Sequence, residues 1–122
     1  MTTSIIARPE LTVSEVARDS GVTPSAVRFY EKHGLITAER TSGNQRRFTA
    51  DAPCRIRVAR VAQRVGLSVA EIRGILNELP EDPQLDDWRR FHDQLVGEAE
   101  RRIASLRATL ADISSGRKLC EL

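Results

Sequence analysis

Residues 11–48 read LTVSEVARDSGVTPSAVRFYEKHGLITAERTSGNQRRF, and this stretch decides the fold. Its first helix opens on a capping box. Thr12 can accept from the backbone N–H of Glu15 while the Glu15 side chain reaches back, and Leu11 and Val16 form the accompanying hydrophobic staple. Gly21 is placed to end that helix. The second helix starts with Thr23 as cap and Pro24 at the first helical position, where no donor is lost, stapled by Val22 and Val27. Gly34 is its predicted stop. Two short amphipathic helices separated by so tight a turn predict a helix-turn-helix, whose second helix suits the major groove of DNA.

Outward from that core, Leu35 and Ile36 lead into the polar tip Thr41-Ser42-Gly43-Asn44 and out through Gln45-Arg46-Arg47-Phe48, a hairpin or "wing". Arg46 and Arg47 can each donate several bonds to phosphate oxygens while Phe48 packs back on the domain. A third helix is predicted over 51–64, with Ile56, Val58, Ala59, Val61, Ala62 and Val65 as its apolar set. Thr49 is a good cap, but it would put Pro53 where its missing N–H loses a helical bond, so Asp51 or Ala52 competes with it. Gly66 ends this helix, and Ser68 with Glu71 makes another capping box, stapled by Leu67 and Ile72, for a fourth helix over 69–77. Arg60, Gln63 and Arg64 cluster near that turn as a candidate second basic wing.

The two prolines of Leu79-Pro-Glu-Asp-Pro-Gln break the pattern and predict a linker over 79–87. From there Trp88, Phe91, Leu95, Ala99, Ile103, Leu106, Leu110 and Ile113 recur at steps of three and four, one helix with one apolar stripe over 88–114. Its roughly 26 residues extend about 39 Å at 1.5 Å each, longer than a core of this size can cover. The economical partner is the same helix of a second chain, giving a homodimer. Burying about eight such side chains is worth on the order of 10–20 kcal/mol before entropy is subtracted, an upper bound. Residues 1–10 show no periodicity and are expected to form a flexible N-terminal tail, and residues 115–122 a C-terminal one.

At 122 residues the chain allows one globular unit, the DNA-binding part taken as 11–78. Its net charge of +2 is unevenly placed: residues 1–70 hold 11 Lys+Arg against 6 Asp+Glu, or +5, and residues 71–122 hold 8 against 11, or −3. The basic half carries the motif, as nucleic-acid binding requires. No apolar run is long enough for a signal peptide or a membrane span, so a cytoplasmic protein without membrane partners is expected. The sequence offers no nucleophile–base pair, glycine-rich phosphate loop or paired carboxylates, so no enzyme is indicated. His33 and His92 are isolated and form no metal-ligand spacing with the two cysteines. No cofactor and no metal follow from these residues. Cys54 is expected to be a small, partly buried residue. Cys120 lies beside Arg117 and Lys118, the electropositive setting in which a thiol becomes reactive, and is the possible redox thiol.

The segments VSEVARDSGVTPSAVRFYEKHGLI, SGNQRRF and AQRVGLSVAEI, in that order, resemble the mercury-resistance-regulator (MerR) family of transcription regulators. Within it the likeness is to the superoxide-response, SoxR-type regulators, through GLIT-x4-SGNQRR, AQRVGLS and LPEDPQL. The resemblance spans about residues 11–113. It implies a mainly helical fold: a winged helix-turn-helix domain with a small wing hairpin and a long C-terminal antiparallel coiled-coil dimerisation helix. It also implies binding to promoter DNA whose −35 and −10 elements are too far apart, distorted so that RNA polymerase engages both. By the same resemblance Ser25, Arg28, Phe29 and Tyr30 fall on the recognition helix, Asn44, Arg46 and Arg47 on the first wing, and Arg60, Gln63 and Arg64 on the second.

The likeness departs after Ile113. SoxR-type sensors carry four closely spaced cysteines there for a [2Fe-2S] cluster, and copper- and zinc-sensing relatives paired ones, whereas this chain reads SSGRKLCEL. One cysteine cannot replace four. The expectation is a DNA-binding homodimeric regulator without a [2Fe-2S] cluster. The alternatives are a thiol- or metal-responsive regulator using Cys120 from both protomers, and a non-specific architectural DNA-binding or coiled-coil module.

Overall fold

The computed structural model describes residues 9–80 and 83–122. The chain runs β1 (Pro9–Leu11), α1 (Val13–Ser20), α2 (Pro24–Lys32), β2 (Ala38–Arg40), β3 (Arg46–Thr49), α3 (Ala52–Val65), α4 (Val69–Leu76) and α5 (Leu85–Ser114), with a final single 3-10 turn (Leu119–Glu121). The fold is mainly helical with a small sheet, a winged helix-turn-helix followed by one long helix.

The caps form where the sequence places them. Thr12 Oγ1 accepts from Glu15 N at 3.1 Å and Glu15 Oε1 from Thr12 N at 2.8 Å. Ser68 and Glu71 repeat the arrangement, again with 2.8 and 3.1 Å bonds. Helix α2 ends at Lys32, and Gly34 then takes φ +79°, so that Leu35 N donates back to the Tyr30 carbonyl at 3.0 Å. A side chain with a Cβ is strained in that left-handed conformation. Helix α3 begins at Ala52 with Asp51 in the cap position and Pro53 in the first turn, where no helical bond is lost.

The wing hairpin pairs Ala38 with Phe48, Glu39 with Arg47 and Arg40 with Arg46. A third strand joins it: β1 lies antiparallel to β3 in the sheet order β1-β3-β2. This corrects the expected tail over 1–10, because Pro9 and Glu10 belong to β1; the remainder of that tail lies outside the described residues. So short a strand has no periodicity to read, and it forms because β3 otherwise presents an unpaired edge. The expected linker is shorter too. Leu85, Asp86 and Asp87 already form the first turn of α5, where Asp87 Oδ2 accepts from Gln84 N at 2.8 Å and both aspartates face the positive end of the helix dipole. Residues 81–82 of that linker lie outside the described residues.

The core is built from Val16, Val27, Leu35, Phe48, Ile56, Ile72 and Leu76, each fully buried, and so joins α1, α2, the wing, α3 and α4. Helix α5 closes it, with Phe91 buried and Trp88 and Leu95 packed alongside. The stripe expected to seek a second chain therefore divides, its first part being covered by the chain's own domain. Val61, expected in the apolar set of α3, is exposed, and so is Cys54, expected to be partly buried. On α3 the buried face is Ala52, Ile56, Ala59 and Ala62, and both residues stand off it. Among the described residues no helix is long and apolar enough to cross a membrane.

Candidate nucleic-acid interface

Helix α2 is amphipathic, and its Val27 and Tyr30 face inward. Ser25, Arg28 and Phe29 are left on the outer surface. Among the described residues Arg28 has no hydrogen-bond or ion-pair partner, so its guanidinium is available to an incoming acceptor. Phe29 stacks at a tilt on His33, with ring centroids 4.4 Å apart, and meets the Tyr30 ring edge-on at 5.6 Å. Tyr30 differs from its neighbours. Its ring is buried, and only its hydroxyl reaches the rim, where it donates to Gln63 Oε1 at 2.8 Å. Burial raises the pKa of that hydroxyl against an opposing pull from Arg60, so it stays a donor.

The first wing is a constructed tip. Asn44 adopts φ +61°, its N–H donates to the Thr41 carbonyl at 2.8 Å, Thr41 N donates to the Gln45 carbonyl at 2.7 Å, and Arg40 Nη1 donates to the Asn44 carbonyl at 3.1 Å. Asparagine is among the few side chains that tolerate this conformation. The paired arginines divide their work. Arg46 Nη1 lies 3.3 Å from Glu31 Oε1, tying the wing to α2. Arg47 donates to the Arg46 carbonyl at 3.1 Å and to Gln45 Oε1 at 2.8 Å, both partners lying just before it in the chain. Both arginines are half-buried, Arg46 paired with α2 and Arg47 bonded within the wing.

The second wing is the end of α3 and its turn into α4. Arg60, Gln63 and Arg64 are all exposed there. Arg60 approaches the helix-turn-helix: a Cβ on Gly21, at the turn between α1 and α2, would stand 3.9 Å from Arg60 Nη1. One turn earlier, Arg57 donates to the Asp19 carbonyl at the C-terminal end of α1, a favourable place for a cation. Arg57 and Glu31 are the residues sequence reasoning missed as part of this surface. The spacing of Arg57, Arg60 and Arg64 on one face of α3 was the available signal for the first. Nothing in sequence announces the Glu31–Arg46 pair, which joins separate elements.

Residues 11–79 match the family model for the MerR HTH family regulatory protein, and residues 54–115 match the model for MerR, DNA binding. The chain belongs to the MerR family. Together the two matches span residues 11–115, which include α2, both wings and nearly all of α5. Among its relatives is an HTH-type transcriptional activator SoxR homolog of Chromobacterium violaceum, 38% identical over 98 residues, which are 79% of this chain and 66% of that protein. The chain thus spans just under two thirds of that relative's length. The transcriptional regulator CueR of Escherichia coli O157:H7 is 35% identical over 101 residues, 80% of this chain and 74% of CueR. Among solved structures, a MerR family transcriptional regulator from Listeria monocytogenes superimposes with a TM-score of 0.58 at 26% identity, covering 86% of this chain and 81% of that one. The same fold is found in HiNmlR, a MerR family regulator lacking the sensor domain and solved bound to promoter DNA, at a TM-score of 0.55 and 20% identity over 86% of this chain and 85% of that one.

The cysteines of this MerR-family regulator do not fit a [2Fe-2S] cluster. Cys54 opens α3 in the DNA-binding half and Cys120 sits in the turn after α5, both exposed. Such a cluster takes about four ligands. Among the described residues no group of three or more His, Cys, Asp and Glu side chains is placed to hold a metal.

Proposed function

We propose that two copies of this regulator pair through α5 as an antiparallel coiled coil and bind promoter DNA in the cytoplasm as a homodimer. Each protomer inserts α2 into a major groove, with Ser25, Arg28 and Phe29 toward the base edges. Asn44, Arg46 and Arg47 follow the backbone on one side, Arg60, Gln63 and Arg64 on the other. Phosphate contacts position the protein and base-edge contacts specify the sequence. Two fixed half-site contacts on one dimer bend and untwist the spacer between them, so that −35 and −10 elements set too far apart come into register for RNA polymerase. The deformation costs about 1–6 kcal/mol, which the phosphate contacts offset.

The observation that carries this reading is the far end of α5. Ile103, Leu106, Leu110 and Ile113 are 49–69% exposed at helical spacing, on a helix that continues beyond the domain it covers. A second copy supplies the same stripe and covers both. HiNmlR, which shares this fold, was solved bound to promoter DNA. The test is sedimentation together with footprinting on the chain's own promoter. A dimer protecting two symmetric half-sites, with transcription that depends on the −35/−10 spacing, is the expected result. A monomer that binds single half-sites equally well ends the reading.

The regulator proposed here works without a [2Fe-2S] cluster. Protein purified without oxygen should be colourless and bind its operator equally with or without dithionite. Absorption in the visible region with about two iron atoms per protomer restores the cluster instead.

A further inference from the structure

We infer that Tyr30 is a positioning residue of the DNA interface: its hydroxyl, donated to Oε1 of Gln63, fixes the Gln63 amide so that Nε2 faces outward as a donor to a DNA phosphate. The inference rests on the proposal that Gln63 lies on the DNA-facing second wing. Three observations support it. The Tyr30 ring is 6% exposed and held in the core, so its oxygen is a fixed point rather than a mobile surface group. Gln63 belongs to α3, 33 residues along the chain, and is itself exposed, so without this bond its side chain would be free to turn through its rotamers. A glutamine amide carries its acceptor and its two donors on opposite arms, and holding the oxygen inward turns the NH2 group out.

The bond also explains why a buried position carries tyrosine. A hydroxyl buried without a partner costs stability, and Phe would fill the same space without that cost. Here the hydroxyl has one partner, and that partner stands on the second wing. The next residue of α2, Glu31, holds Arg46 of the first wing at 3.3 Å. Consecutive residues of the recognition helix thus fasten one wing each.

The experiment is a double-mutant cycle on operator affinity with Tyr30→Phe and Gln63→Ala in the full chain, alongside thermal unfolding. Tyr30→Phe should weaken operator binding about three- to tenfold, the cost of ordering one flexible side chain on binding. It should do so with a near-unchanged unfolding midpoint and an unchanged slope of log K against log salt, since no charge is lost. In the Gln63→Ala background it should have no further effect. An equal loss in that background would show that the hydroxyl touches DNA itself, and no loss in the wild-type background would show that it does nothing; either overturns the inference. Should Tyr30→Phe fail to fold, Gln63→Glu decides. It keeps the acceptor for the hydroxyl and removes the outward donor, so it should fold normally and bind at least as weakly as Gln63→Ala. Wild-type binding by Gln63→Glu overturns the inference, whereas wild-type binding by Gln63→Ala removes Gln63 from the interface altogether.

Discussion

Along α5, Phe91 is 4% exposed and Leu106 69%, although both stand on the same apolar stripe of the same helix. The near part of the helix packs Trp88, Phe91 and Leu95 against the core that also holds Ile72 and Leu76. The boundary is marked by Arg102, whose Nη1 donates to the Gly66 carbonyl at 2.5 Å while Nη2 stands 3.8 Å from Glu71 Oε1. Beyond it, among the described residues, the helix is exposed at every position from Ile103 to Ser114. The near stripe therefore belongs to folding and the far stripe is the part proposed to pair with a second copy, and Arg102 joins the long helix to the turn between α3 and α4.

Substitutions in the two parts should fail in different ways. Leu106→Asp places a charge in the proposed dimer seam, where desolvation is costly, and should abolish the dimer while leaving each protomer folded. Sedimentation with circular dichroism reads both, and an intact dimer for this variant removes the far stripe from association. Phe91→Ala should instead lower the unfolding free energy by about 3–5 kcal/mol through the lost contacts and the cavity. If denaturation shows Phe91→Ala as stable as wild type, the division of the helix is wrong.

The interface side of the comparison calls for a smaller effect. Arg28→Ala should lose about 1–3 kcal/mol of discrimination at one position per half-site, and Arg47→Ala should weaken all operator variants alike. Binding selections on randomised operators distinguish the two, and parallel losses of affinity and selectivity would reverse the roles.

The boundary itself should respond most gently. Ser68→Ala removes the cap of α4 and should cost about 1 kcal/mol. The Glu71 carboxyl is held below its ordinary pKa, first by the Ser68 backbone N–H, then by the Ser68 hydroxyl, with Arg102 adding to the pull. Its folded pKa is depressed, so its contribution is present above the unfolded value and is lost as pH falls through the folded one. Unfolding measured from neutral pH into acid should show a shallower decline for Glu71→Gln than for wild type. An identical decline would remove Glu71 from the pH response.

Local chemistry was legible in the residues alone. Thr12, Glu15, Thr23, Pro24, Ser68 and Glu71 act on backbone groups within a single turn, and the stops at Gly21, Gly34 and Gly66 need only the left-handed conformation these glycines adopt. The helix order, the winged helix-turn-helix and the long apolar stripe follow from such short-range rules and from periodicity. Contacts between distant segments were not legible, because no spacing encodes them. Strand β1 exists because β3 has an edge to pair. Tyr30 turns inward and meets Gln63, Glu31 takes Arg46 from the wing, and Cys54 is exposed because α3 buries another face. The same holds for α5: its sequence determined that one stripe would be apolar, but only the packing of α3 and α4 against its first turns decided which residues the domain covers and which remain exposed.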